Sequence, residues 1–170
     1  MPRSGSPRRP RAGSRRGPGS TWTRRFDAPV SSTDPVAERS YDIVVFGATG
    51  FTGALTAEYL AANAPDGLRW ALAGRSLEKL EQVRRQLGGQ WAELPLLRAD
   101  VTDAGSVRDV AEATRVVITT VGPYIRYGEP LVAACAAAGT DYVDLTGEPE
   151  FVDRMWLGYH AQAVESGARL

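Results

Sequence analysis

Asp42-Ile43-Val44-Val45-Phe46-Gly47-Ala48-Thr49-Gly50-Phe51-Thr52-Gly53 is the stretch from which the architecture can be read. Its first half is a short β-branched apolar run without polar alternation, the pattern of a strand buried on both faces. The run stops at Gly47. Beyond the glycines, Leu55, Tyr59 and Ala62 recur at helical spacing across residues 51–63, until Pro65, Asp66 and Gly67 close the segment. The order is therefore strand, tight turn, helix.

Working outward, the same rhythm repeats down the chain. Trp70 to Ala73 reads as a second strand, and Leu77, Leu80, Val83 and Leu87 mark a helix ending at Gly88-Gly89. Leu94 to Ala99 is a third strand, followed by a helix capped by Asp103 or Ser106 with Val107, Val110, Ala111 and Thr114 inward. Arg115 to Val121 is a Thr-rich fourth strand, Glu129 to Ala138 an Ala-rich helix stopped by Gly139, and Asp141 to Leu145 a fifth strand. Phe151, Val152, Met155 and Tyr159 mark a last helix. Parallel neighbours need crossover helices, and right-handed crossovers place those helices on both faces of the sheet. The expected fold class is α/β, a doubly wound, Rossmann-like parallel sheet with strand order 3-2-1-4-5.

The turn at 47–53 carries the chemistry. Gly47 suits a tight turn, Gly50 lets backbone N–H groups approach an anion, and Gly53 lets the helix pack closely on the strand. A pyrophosphate would then lie at the helix N-terminus, where unpaired N–H groups and the macrodipole favour negative charge. Thr49 and Thr52 add hydroxyl donors. The spacing is G-x-x-G-x-x-G rather than G-x-G-x-x-G, yet it sits in the strand-turn-helix context that gives such motifs meaning. At the end of the second strand, where an acidic residue would bind the ribose 2′-hydroxyl of NAD, the sequence has Ala73-Gly74-Arg75-Ser76. An Arg fork and a hydroxyl suit a 2′-phosphate, so the expected cofactor is NADP (NADPH).

Further candidates line the carboxyl edge of the sheet, where ligands bind in open α/β folds. Asp100 is placed to accept from the adenine amino group, with helix capping as its bland alternative. Thr120, Gly122 and Pro123 follow the fourth strand and would border the nicotinamide ribose. Tyr124 and Tyr127 read equally as packed loop aromatics or as chemistry. Asp144, Thr146 and Glu148 close the fifth strand, either lining the nicotinamide side or capping the next helix. His160 has no partner motif and reads as a surface or half-buried residue. Cys135 reads as a small core residue.

Composition removes other classes. The chain of 170 residues has 20 Lys+Arg, 20 Asp+Glu, one His and one Cys, which leaves no disulfide framework and no multi-cysteine metal site. No metal is expected. The zero net charge conceals a split: residues 1–40 hold nine Arg and three acids, whereas the remainder is acidic. The first 26 residues carry eight Arg, four Pro and no acid, so they bury too little to offset chain entropy. Residues 1–40 are thus expected to be a disordered, passive Arg/Pro-rich extension, with contact to phosphate backbones or anionic lipid as its functional alternative. There is no secretory h-region and no run long enough for a span, which points to the cytoplasm.

Taken together, Gly47-Ala-Thr-Gly-Phe-Thr-Gly53, Ala73-Gly-Arg-Ser76, Thr120-Val-Gly-Pro-Tyr124 with Tyr127-Gly-Glu129, and Thr140-Asp-Tyr-Val-Asp-Leu-Thr-Gly-Glu148 resemble the saccharopine dehydrogenase-like oxidoreductases. The nearest branch is the one that includes trans-acting enoyl reductases of lipid biosynthesis. The resemblance covers residues 41–170. It implies an NADP-binding domain followed by a substrate and dimerisation domain, so 41–170 is expected to be incomplete relative to the family. Carried over by position, Gly47, Thr49, Gly50, Phe51, Thr52 and Gly53 would hold the pyrophosphate, Arg75 and Ser76 the adenosine phosphate, and loops 120–124 and 146–148 would face the nicotinamide. No catalytic acid is transferred. The expected function is hydride transfer from NADPH to a C=C or C=N bond of a small-molecule or lipid-precursor substrate, with no specific nucleic acid as partner and with room for peripheral membrane association and a homodimer. The alternatives are a non-catalytic NADP-binding or partner-binding module and an inactive gene fragment.

Overall fold

The structure, a computed structural model, describes residues 39–170; the expectation of a disordered extension falls almost wholly outside them. Five strands, β1 (Tyr41–Phe46), β2 (Trp70–Gly74), β3 (Leu96–Arg98), β4 (Thr114–Thr119) and β5 (Asp141–Val143), form one sheet in the order β3-β2-β1-β4-β5. Every pairing is parallel, with Val45 opposite Leu72 on one side of β1 and Ile118 on the other. Six helices connect them: α1 (Phe51–Asn63), α2 (Leu77–Gln86), α3 (Ala104–Ala113), α4 (Tyr124–Tyr127), α5 (Glu129–Ala138) and α6 (Pro149–Ser166).

Side-chain alternation along the central strands decides which helix lies where, because successive residues of a strand point to opposite faces. Val45, Trp70 and Leu72 pack with Ala57 of α1 and Leu80 and Val83 of α2. Val44, Phe46, Ala71, Ala73 and Val117 pack on the opposite face with Val107 and Val110 of α3, Leu131 and Cys135 of α5, and Phe151 and Met155 of α6. All five residues of β2 are buried, which is why the run Trp70–Gly74 contains no polar alternation.

The last three strands are shorter than the sequence predicts, for local reasons, while β1 and β2 each gain one residue. The third begins at Leu96, since Leu94 turns into the core beneath α2. The fourth ends at Thr119: the Thr120 N–H makes a last bond to Phe46 O at 3.1 Å, and Val121 packs beside Gly47. The fifth ends at Val143, and Leu145 is exposed. Thr114, expected on the inner face of α3, is instead the buried first residue of β4. Asp103 is the α3 cap, accepting from the Gly105 and Ser106 amides. Arg39, inside the stretch read as extension, is buried; its guanidinium donates to the carbonyls of Ala111 and Glu112 at the end of α3 and of Ala138 at the end of α5. The folded part thus starts before Tyr41.

Candidate functional site

The turn between β1 and α1 is bolted to its neighbours by the backbone: the Gly47 N–H donates to Ala73 O at 2.9 Å and the Gly50 N–H to Gly47 O at 3.0 Å. Gly47 has φ +87°, in the left-handed region, and a Cβ there would meet Val121 Cγ2 at 2.6 Å. Gly53 is closed to any side chain, since its Cβ would lie 2.2 Å from Gly47 O and 2.8 Å from Thr120 Oγ1. The helix is thereby pressed onto the turn. Its N-terminus is left open: Gly50 is the cap residue, no side chain caps it, and the first turn carries no acid. The bonds of the helix begin with the Ala54 N–H to Gly50 O, so the amides of Phe51, Thr52 and Gly53 have no protein acceptor among the described residues. Thr49, Gly50 and Thr52 are exposed beside them, and the Phe51 ring is 84% exposed.

At the end of β2, Arg75 is exposed, and no hydrogen bond or ion pair holds its guanidinium among the described residues. Ser76 caps α2, its Oγ accepting from the Lys79 N–H at 3.3 Å, which leaves the hydroxyl proton to donate elsewhere. Asp100, one strand further out, has Oδ1 engaged by the Thr102 N–H at 2.9 Å and the Thr102 hydroxyl at 2.8 Å. Those two donors, the amide first, hold its carboxyl below the usual carboxylate range, with Arg75 and Arg98 adding to the effect. The capping role falls to Asp103, and Asp100 Oδ2 is uncommitted.

Beyond β4 the chain turns through Gly122 and a cis Pro123 into α4. Thr120 does not point away from the protein: its hydroxyl lies 3.3 Å from Gly47 O and 3.5 Å from Phe46 O, bracing the phosphate turn from below. Gly122 and Pro123 are exposed at the carboxyl edge, as their expected place requires. Tyr124 is a packed aromatic, 5% exposed, its ring tilted on Phe151 with centroids 5.8 Å apart and its hydroxyl donating to Thr119 O at 3.2 Å. Burial, reinforced by Asp144 and Glu148, pushes its phenol upward. Tyr127 is partly exposed.

The segment after β5 is a chain of hydrogen bonds. The Tyr142 hydroxyl donates to Asp144 Oδ2 at 2.8 Å, and the Thr146 N–H to Asp144 Oδ1 at 3.0 Å. The Glu148 N–H donates to Thr146 Oγ1 at 3.1 Å, and the Glu148 carboxylate accepts the Tyr124 and Ile125 amides at 2.9 Å each. Glu148 therefore caps α4, 24 residues away in sequence, and makes no side-chain cap on its own helix. Sequence reasoning missed this role; the available signal was that α4 follows Pro123, which offers no capping side chain. Burial and then Asp144 raise the Tyr142 phenol.

The remaining singled-out residues lie apart. Cys135 is fully buried on α5, its thiol pushed up to about 12 by burial. His160 is exposed on α6 and stacks on Trp156 with centroids 3.7 Å apart. Both rings border an apolar groove of about 670 Å³ lined by α6, β5 and the C-terminal residues 168–170, with no residue of the 47–53 turn in its lining. Among the described residues no cluster of His, Cys, Asp or Glu could hold a metal ion, and no helix is long and apolar enough to cross a membrane.

Comparison with known proteins agrees with this geometry. The sequence profile of the saccharopine dehydrogenase NADP binding domain matches residues 43–170. A trans-acting enoyl reductase of Mycobacterium bovis is 54% identical over 134 residues, 79% of this chain and 32% of the relative; one of Mycobacterium ulcerans is 49% identical over the same shares. The chain thus spans about a third of the length of these curated relatives. Among solved structures, apo saccharopine dehydrogenase (L-Glu forming) from Saccharomyces cerevisiae has a TM-score of 0.58 at 21% identity, covering 75% of this chain and 26% of that one. Triphenylmethane reductase of Citrobacter sp., complexed with NADP(H), has a TM-score of 0.54 at 18% identity, covering 74% and 46%. These two share the fold.

Proposed function

The chain belongs to the saccharopine dehydrogenase NADP-binding domain family and its cofactor is NADP; from that premise we propose that it is the cofactor-holding part of an NADPH-dependent reductase acting on a C=C bond of a lipid precursor. The observation that carries this reading is the pairing of an uncapped, acid-free α1 N-terminus, over a turn that admits no side chain at Gly47 or Gly53, with an unpaired Arg75 at the end of β2. The amides of Phe51, Thr52 and Gly53, with the Thr49 and Thr52 hydroxyls and the close approach at Gly47 and Gly50, would hold the pyrophosphate. Arg75 and Ser76 would take the 2′-phosphate, and Asp100 Oδ2 the adenine amino group.

Thr120 acts by supporting the turn, and Gly122 and Pro123 present backbone to the nicotinamide ribose. When bound, NADPH supplies the hydride; the residues of this chain bind, orient and shield it. The enoyl preference over imine chemistry is supported by the likeness to trans-acting enoyl reductases. A titration with NADPH and NADH tests the site: Arg75→Ala should weaken NADPH by about 1.5–3 kcal/mol, the range for a hydrogen bond to a charged group, and leave NADH unchanged. Equal loss for both nucleotides would remove Arg75 from the 2′-phosphate.

A second reading, an NADP-binding module without turnover of its own, is favoured by one observation. Of the phenols near the nicotinamide edge, Tyr124 and Tyr142 already donate to protein acceptors, which leaves the exposed Tyr127 as the one uncommitted phenol there among the described residues. NADPH oxidation by the chain with an enoyl thioester decides between them: turnover removes the second reading, and binding without turnover favours it.

A further inference from the structure

The loops after β4 and β5 meet through a single side chain. α4 has only four residues, and its Tyr124 and Ile125 amides have no acceptor within the helix. Each is taken by one oxygen of the Glu148 carboxylate, at 2.9 Å. Glu148 is in turn held through its own N–H by Thr146, Thr146 by Asp144, and Asp144 by the Tyr142 hydroxyl, so the acceptor is anchored to β5. On the far side, Val121 and Thr120, two and three residues before the cis Pro123, are the groups that Gly47 cannot approach with a side chain. The phosphate turn, the 120–124 loop and the 144–148 loop are therefore one mechanically continuous wall, with Glu148 as its tie.

We infer that Glu148 is a positioning residue for the nicotinamide half of the cofactor: by clamping the start of α4 it fixes the Gly122-Pro123 backbone at the height set by the phosphate turn. It contacts neither the adenosine half nor the amides at the head of α1. The inference rests on the cofactor assignment above, and it separates from it by choice of probe. Adenosine 2′,5′-bisphosphate would reach the Arg75 side and, through its 5′-phosphate, the head of α1, whereas NADPH would span these and the nicotinamide edge as well.

The test is a pair of titrations on the full chain and on Glu148→Gln, which keeps the shape but replaces one acceptor oxygen by a donor facing an amide. NADPH affinity should fall about tenfold, the equivalent of one charged-group hydrogen bond, while affinity for adenosine 2′,5′-bisphosphate stays within about twofold. Hydrogen exchange at the Tyr124 and Ile125 amides should accelerate at least about tenfold without ligand. Thr146→Val, which loosens Glu148 but leaves its carboxylate, should shift all three readings in the same direction by less. Equal losses for both probes would reduce Glu148 to a stability residue and overturn the inference, as would unchanged NADPH binding or unchanged exchange. Binding of neither probe by the wild-type chain would overturn the cofactor site itself, and this inference with it.

Discussion

Two helices start at the carboxyl edge of adjacent strands, α1 after β1 and α4 after β4, and the protein treats their N-termini in opposite ways. The head of α1 has no side-chain cap, no acid and, among the described residues, no protein acceptor for its first three amides. The head of α4 is stoppered by the carboxylate of Glu148. A helix N-terminus is a positive end that something negative must complement. At α4 the protein supplies that group itself and gains a fixed wall; at α1 it withholds one, and on the proposed reading the anion would come with the ligand. Of the other βα turns, α2 is capped by Ser76 and α3 by Asp103, and α6, which has no side-chain cap, carries Glu150 in its first turn, so α1 differs from each in having neither cap nor acid.

The largest effect is expected from destroying the geometry that keeps α1 open. In Gly53→Ala the new Cβ would fall 2.2 Å from Gly47 O, a backbone atom that cannot step aside without moving the turn. Overpacking of this kind costs about 1–3 kcal/mol, and the turn that must shift is the one that would hold the pyrophosphate. NADPH affinity should drop by roughly two orders of magnitude, with a lowered Tm. Retained binding would mean that the phosphates sit elsewhere.

A sharper experiment converts α1 into a copy of α4. Gly50 has φ −81° and ψ 165°, a conformation open to any residue and the usual one for a capping side chain. Gly50→Asp should therefore gain a few tenths of a kcal/mol of stability from the new cap. The same carboxylate occupies the place of the pyrophosphate, and NADPH affinity should fall more than about tenfold. The two readings move in opposite directions, which a general loss of fold cannot imitate. A raised Tm with undiminished NADPH affinity would refute the open-helix argument.

The contrast also explains what was legible in the sequence. Features written in contiguous residues came through: the α1 turn, Arg75 at the end of β2, the boundaries of α1 and α5, and the order 3-2-1-4-5 follow from glycine spacing and apolar periodicity. Features that depend on tertiary reach did not. Pro123 shows only that α4 lacks a local cap; that Glu148 supplies it is not written nearby, because the pairing spans 24 residues and is created by β4 and β5 lying side by side. The Thr120 hydroxyl is a second case of tertiary reach: its type suggests a ligand contact, and the structure sets it 3.3 Å from Gly47 O, across 73 residues of sequence. Arg39 was lost among the arginines of the N-terminal stretch, since only the fold brings the ends of α3 and α5 to it.

The smallest expected effect concerns Asp100, which lies on the open side and near Arg75. Its folded-state carboxyl is held low, chiefly by the Thr102 amide and then the Thr102 hydroxyl, with Arg75 and Arg98 contributing. A depressed carboxyl favours the ionised form in the fold, so its stabilisation is fully present above the unfolded value of about 3.9 and is lost as pH falls through the folded value. Asp100→Asn keeps an oxygen acceptor for both Thr102 donors and removes only the charge. The side chain is solvent-screened, so the Tm gap between wild type and variant should be small at pH 5–7. The gap should be constant there and should close below about pH 4 as wild-type Asp100 takes up its proton. A gap that persists at pH 2–3 would show that the loss in Asp100→Asn lies in the hydrogen-bond geometry and that the charge contributes nothing.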